Sequence, residues 1–214
     1  MKQFISMLSI VLLLCSSCNV NKATSNVTTD KDSVNTENPV ISAIMKRRSI
    51  RKYFDKAVSE KDLKIIAECG INAPSAMNKQ PWEVRIVNSS EYINGISDIF
   101  RKYNPKIEQD STFKNMFRNA PCVIFICAQK NGNGQFDCGL LSENIMLAAQ
   151  SIGLGTCCLG SPIRFMKENK ECEPYIAKLN ISEDYELLYA IAVGYPDEEP
   201  SAKPRDAERI QFVE

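Results

Sequence analysis

The chain has 214 residues, 44% hydrophobic and 24% charged, with 26 cationic side chains balancing 26 anionic ones. That neutrality gives no support to nucleic-acid binding, which depends on a strong positive field. Histidine is absent, which excludes Ser-His and Cys-His nucleophiles and removes the commonest metal ligand.

Residues 1–18 read as a processing segment. Lys2 supplies a positive start, and Phe4 to Leu14 form an apolar run too short to span a bilayer. Cys15-Ser16-Ser17-Cys18 follows and resembles a bacterial lipoprotein lipobox with Cys18 as the lipidated residue. Cys15 departs from the small or aliphatic residue usual there. A plain signal peptide or an uncleaved anchor is the alternative. Residues 19–38 are rich in Asn, Thr, Ser, Lys and Asp and read as a flexible tether. Residues 39–214 then suffice for one domain.

Within that domain Val40 to Arg48 predicts a short helix. Ser59-Glu60-Lys61-Asp62 resembles a capping box that opens a helix through Cys69, ended by Gly70 to Pro74. Glu83 to Val87 alternates like a strand. Tyr92 to Phe100 and Phe113 to Asn119 read as helices. Pro121 to Ala128 is continuously apolar, as in a central strand. Asp137 to Ile152 is apolar around most of its circumference, which predicts burial in the core or at an oligomer interface. Gly153-Leu154-Gly155 ends it. Leu187 to Val193 reads as a second central strand, and a polar arm runs from Pro196 to Glu214. The mix predicts an α+β fold with helices around a small sheet.

Nine cysteines less Cys15 and Cys18 leave seven in the domain: Cys69, Cys122, Cys127, Cys138, Cys157, Cys158 and Cys172. Their spacing lacks the order of a zinc site, so no metal is expected. Several lie in apolar runs, where a free thiol acts as a small hydrophobe. Buried thiols would suit a cell with little oxygen or weak disulfide formation in its envelope.

Three stretches carry candidate chemistry. Arg47, Arg48, Ser49 and Arg51 can hold a phosphate through charge-assisted bonds and a hydroxyl, with Arg47, Ser49 and Arg51 on one side if the chain is extended. The same cluster also reads as a solvated helix end. Pro74, Ser75, Asn78 and Gln80 form a restricted turn whose amides suit the edge of a heterocycle, or they are simple turn residues. Lys203 and Arg205 lie in the polar arm, where the alternative is a disordered terminus.

The tandem of RRSIR and NAPSAMNKQPW, the Gly-Leu-Gly-Thr turn after the buried helix and the late KPR resemble the FMN-dependent nitroreductase family over nearly all of residues 41–205. The resemblance implies a central mixed or antiparallel sheet flanked by helices and an intertwined homodimer with two FMN sites at the subunit interface. It implies that Arg47, Ser49, Lys203 and Arg205 bind phosphate and ribityl, with Arg48 nearby. Arg51 would sit by the flavin N1/O2 edge as an electrostatic tuner, and no side chain would act as acid or base. Asn78 would bond the ring edge, and Gln80 lies in the same turn. Pro74 and Ser75 would approach from the partner subunit, and main-chain N–H groups at Leu159 and Gly160 would face N5 and O4. Cys157-Cys158-Leu159 departs from the larger residues usual there. The implied reaction is ping-pong hydride transfer from NAD(P)H to a nitroaromatic, quinone or similar acceptor. Alternatives are dehalogenation or dehydrogenation of a specific small molecule, and an FMN-binding electron-transfer lipoprotein without NAD(P)H turnover. The leader implies a lipid-anchored protein of the bacterial envelope, where NAD(P)H is scarce, or a cytoplasmic one if the leader is unused.

Overall fold

In the computed structural model, which describes residues 37–132 and 134–214, the sheet is built around an eight-residue strand, β2 (Cys122–Gln129), buried over all but its last residue. The leader, Cys18 and the tether through residue 36 lie outside the described residues. Strands β1 (Trp82–Val87), β3 (Gly155–Leu159) and β4 (Tyr185–Gly194) complete a sheet of order β1-β2-β4-β3. Every strand pair is antiparallel. Of the two options left by the sequence, mixed or antiparallel, the antiparallel one is found.

Side-chain alternation splits the interior into two layers. Ile124, Ile126, Ile191 and Val193 face α2 (Glu60–Ile71) and α5 (Gly134–Ser151), meeting Leu63, Ile66, Leu141 and Ile145. Val123, Phe125, Ala190 and Ala192 face α3 (Ser90–Lys102) and α6 (Ser161–Glu168), meeting Ile93, Ile96, Ile163 and Met166. Phe125 is fully buried and packs edge-on against Tyr92 and Phe117. A bulge between Ile126 and Cys127 of β2 shifts the pairing to β4. Tyr189 shares the face of Ile191 and Val193 and meets α5, where its hydroxyl donates to the Cys138 carbonyl and pairs with Ser142 Oγ, both at 2.8 Å.

Local sequence explains the ends of the first helices. Asn38 caps α1 (Pro39–Lys46) by accepting from Val40 N, and Pro39 sits at its start. Ser59 Oγ accepts from Asp62 N at 3.0 Å, so the expected cap of α2 is present. Helix α1 ends at Lys46, short of the predicted Arg48, and leaves Arg47 to Arg51 non-helical.

Two expectations need correction. Phe113 to Asn119 is a series of turns, not a helix. Asn119 Oδ1 accepts from Lys114 N and Asn115 N, and Arg118 and Asn119 hold φ of 62° and 60°, which a helix forbids. Asparagine side chains outcompeted the helical ladder there. Cys157-Cys158-Leu159 is part of strand β3 rather than a turn. Helix α5 is buried along Cys138, Leu141, Ser142, Ile145 and Ala149, yet Phe136 and Leu140 are 76% and 48% exposed. One apolar face of α5 is therefore left exposed among the described residues of a single chain. Two further helices that the sequence did not signal are α6 and α7 (Glu173–Lys178), separated from the short α4 (Pro105–Glu108) by the β2–α5–β3 run.

The seven domain cysteines are free thiols, five of them buried and Cys69 and Cys158 exposed. Burial pushes Cys122 and Cys127 up to about 12 and Cys138 up to about 11. A raised thiol pKa costs nothing while both folded and unfolded thiols stay protonated. The folded state should therefore lose stability only as pH climbs above the ordinary thiol value of 9.0 toward 12. A thiol-reactive probe at pH 8 is expected to label Cys69 and Cys158 in the native protein. The five buried thiols should react only on unfolding, as read by peptide mapping.

Candidate functional site

The RRSIR segment lies along the free edge of β3. Ser49 pairs with Thr156 as an isolated parallel bridge, and Ile50 N donates to the Thr156 carbonyl at 2.9 Å. Two glycines permit this seat. A Cβ on Gly155 would stand 2.8 Å from Ile50 Cγ1, and one on Gly194 would stand 2.8 Å from Tyr53 Cδ1. Tyr53 locks the bend beyond: its hydroxyl donates to the Ile50 carbonyl at 2.6 Å, and burial raises its pKa and keeps it neutral. Tyr53 also bridges Pro196, and Asp197 N donates to the Lys52 carbonyl, so the chain after β4 returns beside this segment.

The extended path puts Arg47, Ser49 and Arg51 on one side and the buried Ile50 on the other. Arg47 pairs with Glu143 of α5 at 3.4 Å. Arg48 donates to the Met45 and Arg47 carbonyls, but its Nε is buried with no partner. Glu198 accepts from the Arg51 main-chain N–H, which leaves the Arg51 guanidinium bonded only to the Ser49 carbonyl. Neither the Ser49 hydroxyl nor the Arg51 guanidinium has an acidic partner among the described residues. An unbonded hydroxyl, a guanidinium with no acidic partner and an orphaned buried N–H on one short segment fit an anionic, oxygen-rich ligand.

Arg51 also lines a cleft of about 340 Å³ with Leu159, Ser161 and Pro162 on one side and Phe100, Phe113, Met116 and Arg118 on the other. Leu159 ends β3, and Gly160 precedes α6, whose first N–H groups have no intrahelical acceptor. Burial raises the Cys157 thiol pKa, while Arg51, Arg118 and Arg47 oppose that shift, so three cations gather around this end of β3. A larger groove of about 910 Å³ opens on the other side of Arg51. Its charges already meet one another, as in Asp98 with Arg101 and Asp55 with Lys114. The smaller cleft is therefore the better ligand site.

The amide turn is somewhere else. Ser75 Oγ accepts from Gln80 N at 3.0 Å, and Met77, Asn78 and Gln80 take φ of 53°, 53° and 47°. Three left-handed residues without glycine cost about 1–3 kcal/mol each, a strain that clusters at ligand sites. The turn leads into β1, with Trp82 opposite Ala128 and, through it, Glu186. The RRSIR segment sits beyond β3 at the level of Val193. The two motifs are thus about 19 Å apart across the sheet and about 23 Å apart along it. One chain does not bring them together. Nor does it bring in the arm: Lys203 and Arg205 are exposed, and Arg205 donates only to the Lys203 and Pro204 carbonyls.

The sequence reading missed Arg118, Glu198 and Glu143. Glu198 and Glu143 act through tertiary contacts alone. Arg118 stood in an NA-flanked stretch read as helix, and Asn119 beside it was the available signal of a turn. Among the described residues no group of three metal-ligating side chains gathers, and no helix is long and apolar enough to cross a membrane.

The sequence profile of the nitroreductase family matches residues 44–195. A relative from Archaeoglobus fulgidus, named in the NADH dehydrogenase/NAD(P)H nitroreductase class, is 34% identical over 164 residues, covering 73% of this chain and 84% of its own. A nitroreductase with bound FMN from Desulfitobacterium hafniense superposes with a TM-score of 0.73 at 27% identity, over 83% of this chain and 99% of its own. An FMN-bound nitroreductase from Bacteroides fragilis gives 0.70 at 26% identity, over 83% and 100%.

Proposed function

This chain belongs to the nitroreductase family, and from that premise we propose that it is an FMN-dependent NAD(P)H oxidoreductase whose site is completed by a second copy of the chain. The observation that carries the reading is the RRSIR segment laid along β3, with Arg51 meeting Leu159 in one cleft. Bound FMN would supply a ring that accepts hydride from the nicotinamide and passes it to an acceptor stacked in the same place.

The residues divide the work. Arg47 and Ser49 would hold the phosphate and ribityl, with Arg48 Nε available beside them. Arg51 would lie at the N1/O2 edge, where a cation favours the negative charge of the reduced ring. Main-chain N–H groups at Leu159 and Gly160 would face N5 and O4. No side-chain acid is needed, in keeping with a chain that lacks histidine.

The amide turn lies too far from Arg51 for one flavin to touch both within a chain. A partner's Pro74, Ser75, Asn78 and Gln80 would supply the second wall. The uncovered apolar residues Phe136 and Leu140 of α5 and Ile44 and Met45 of α1 offer the surface for that partner. The arm carries Phe212 at 98% exposure, so it gains burial by crossing to the partner and bringing Lys203 and Arg205 to a phosphate. Leu140→Asp is expected to give a monomer with at least tenfold weaker FMN binding, read by sedimentation and FMN titration. The wild type should bind one FMN per chain. A monomeric wild type that binds FMN normally would refute the shared site.

The acceptor class is a nitroaromatic, quinone or similar flat molecule, a reading supported by the aromatic and apolar walls of the Arg51 cleft. The lipid anchor at Cys18 belongs to the same reading and rests on the leader sequence.

A further inference from the structure

We propose that Arg118 is a specificity residue that receives the carboxylate of a flat, aromatic electron acceptor in the cleft beside Arg51. The proposal rests on the proposed function, which commits Arg51 to the flavin and supplies the reaction of the bound ligand.

The loop that carries Arg118 is built to hold one shape. Asn119 Oδ1 accepts from Lys114 N and Asn115 N, each at 2.9 Å, and its Nδ2 donates to the Thr112 carbonyl at 3.0 Å. Asn115, itself buried, donates to the Ala120 carbonyl and accepts from Phe117 N. Ser97 Oγ, buried in α3, accepts from Met116 N at 3.1 Å. These bonds hold Arg118 at φ 62°, a conformation arginine rarely takes. A strained arginine on a pinned loop is an exception that the surrounding bonds over-determine.

Its charge is left open. The Arg118 guanidinium has no hydrogen bond or ion pair to a described residue. The one acidic residue lining the same cleft is Asp110, whose carboxylate already accepts from Thr112 N and Thr112 Oγ1 and is held below its usual pKa by those bonds. With Arg51 committed to the flavin edge, Arg118 is the remaining free cation of the cleft among the described residues. Phe100, Phe113, Met116, Leu159 and Pro162 supply its apolar lining, and Thr112, Asn115, Asn119 and Ser161 supply polar lining. A mixed cleft with two phenyl rings in its lining and one planar fork left open beside the flavin-bound Arg51 matches one carboxylate on a flat ring. A phosphate of the nicotinamide nucleotide is the other anion that could reach such a fork.

The test uses benzoate and its neutral isostere benzamide on the purified protein, with affinities read by calorimetry in wild type and Arg118→Gln. Wild type is expected to prefer benzoate, and Arg118→Gln to reduce the benzoate-to-benzamide ratio about 10- to 100-fold, the usual loss for one charge-assisted contact. Arg118→Lys, which keeps the charge and loses the fork, should retain a smaller preference. Equal binding of the two probes by wild type, or a preference that survives in Arg118→Gln, overturns the proposal. So does a variant that changes only the ratio of NADPH to NADH affinity, which would give Arg118 to the nucleotide. Calorimetry needs no turnover, so a protein whose flavin ignores both nucleotides would count against the oxidoreductase reading and leave this result intact.

Discussion

The Arg47→Ala/Arg51→Ala double variant is expected to purify without flavin and to bind added FMN about 10²- to 10⁴-fold more weakly than wild type. Each arginine would give up a charge-assisted hydrogen bond of ~1.5–3 kcal/mol, and the two losses multiply in affinity. The variant should still fold. Among the described residues Arg51 has no ion pair, and Arg47 meets only the half-exposed Glu143 at 3.4 Å, a contact worth little at a surface. Fluorescence titration of FMN, with circular dichroism as the control for folding, separates the two outcomes. Normal flavin binding by a folded double variant would remove this segment from the site. Arg51→Ala alone should lower the flavin potential by about 30 mV, the equivalent of ~1.4 kcal/mol in a two-electron couple. An unchanged potential would take Arg51 away from the ring.

Phe125→Ala should have the largest effect on stability, about 3–5 kcal/mol. Phe125 is fully buried on β2 and touches Tyr92 and Phe117 edge-on at 6.1 and 5.8 Å. The neighbours come from α3, from the 110–120 loop and from β4, so none can close the gap without moving the others. Thermal unfolding should shift down by about 10 °C. Because Phe117 precedes Arg118, the loop that carries Arg118 should loosen in the same variant. A shift of less than about 2 °C would mean that the layer repacks freely.

Much of this molecule could be read before folding. The unbroken apolar run of β2 announced a central strand, and Ser59 announced the start of α2. The RRSIR and NAPSAMNKQPW stretches named the family because their residue types and spacing survive intact. Other features could not be read because they are properties of tertiary contact. Strand β3 is five residues long and contains two cysteines, so it carries too little period to register. The Phe113 to Asn119 run has helical spacing, but five bonds of the Asn115 and Asn119 side chains decide its path. The bulge that moves Leu187 to the α3 and α6 layer depends on how β2 and β4 pair. The separation of the amide turn from Arg51 required the strand order, and it is this separation that underlies the proposal of a site shared with a second copy.

The most direct measurement is anaerobic titration of the purified protein with NADH and, separately, NADPH, following flavin absorbance. The account predicts a yellow protein with one FMN per chain that bleaches with at least one nucleotide and recovers its colour when a nitroaromatic or quinone is added. A protein that stays colourless after incubation with FMN would contradict the account, as would one whose bound flavin remains oxidised with both nucleotides.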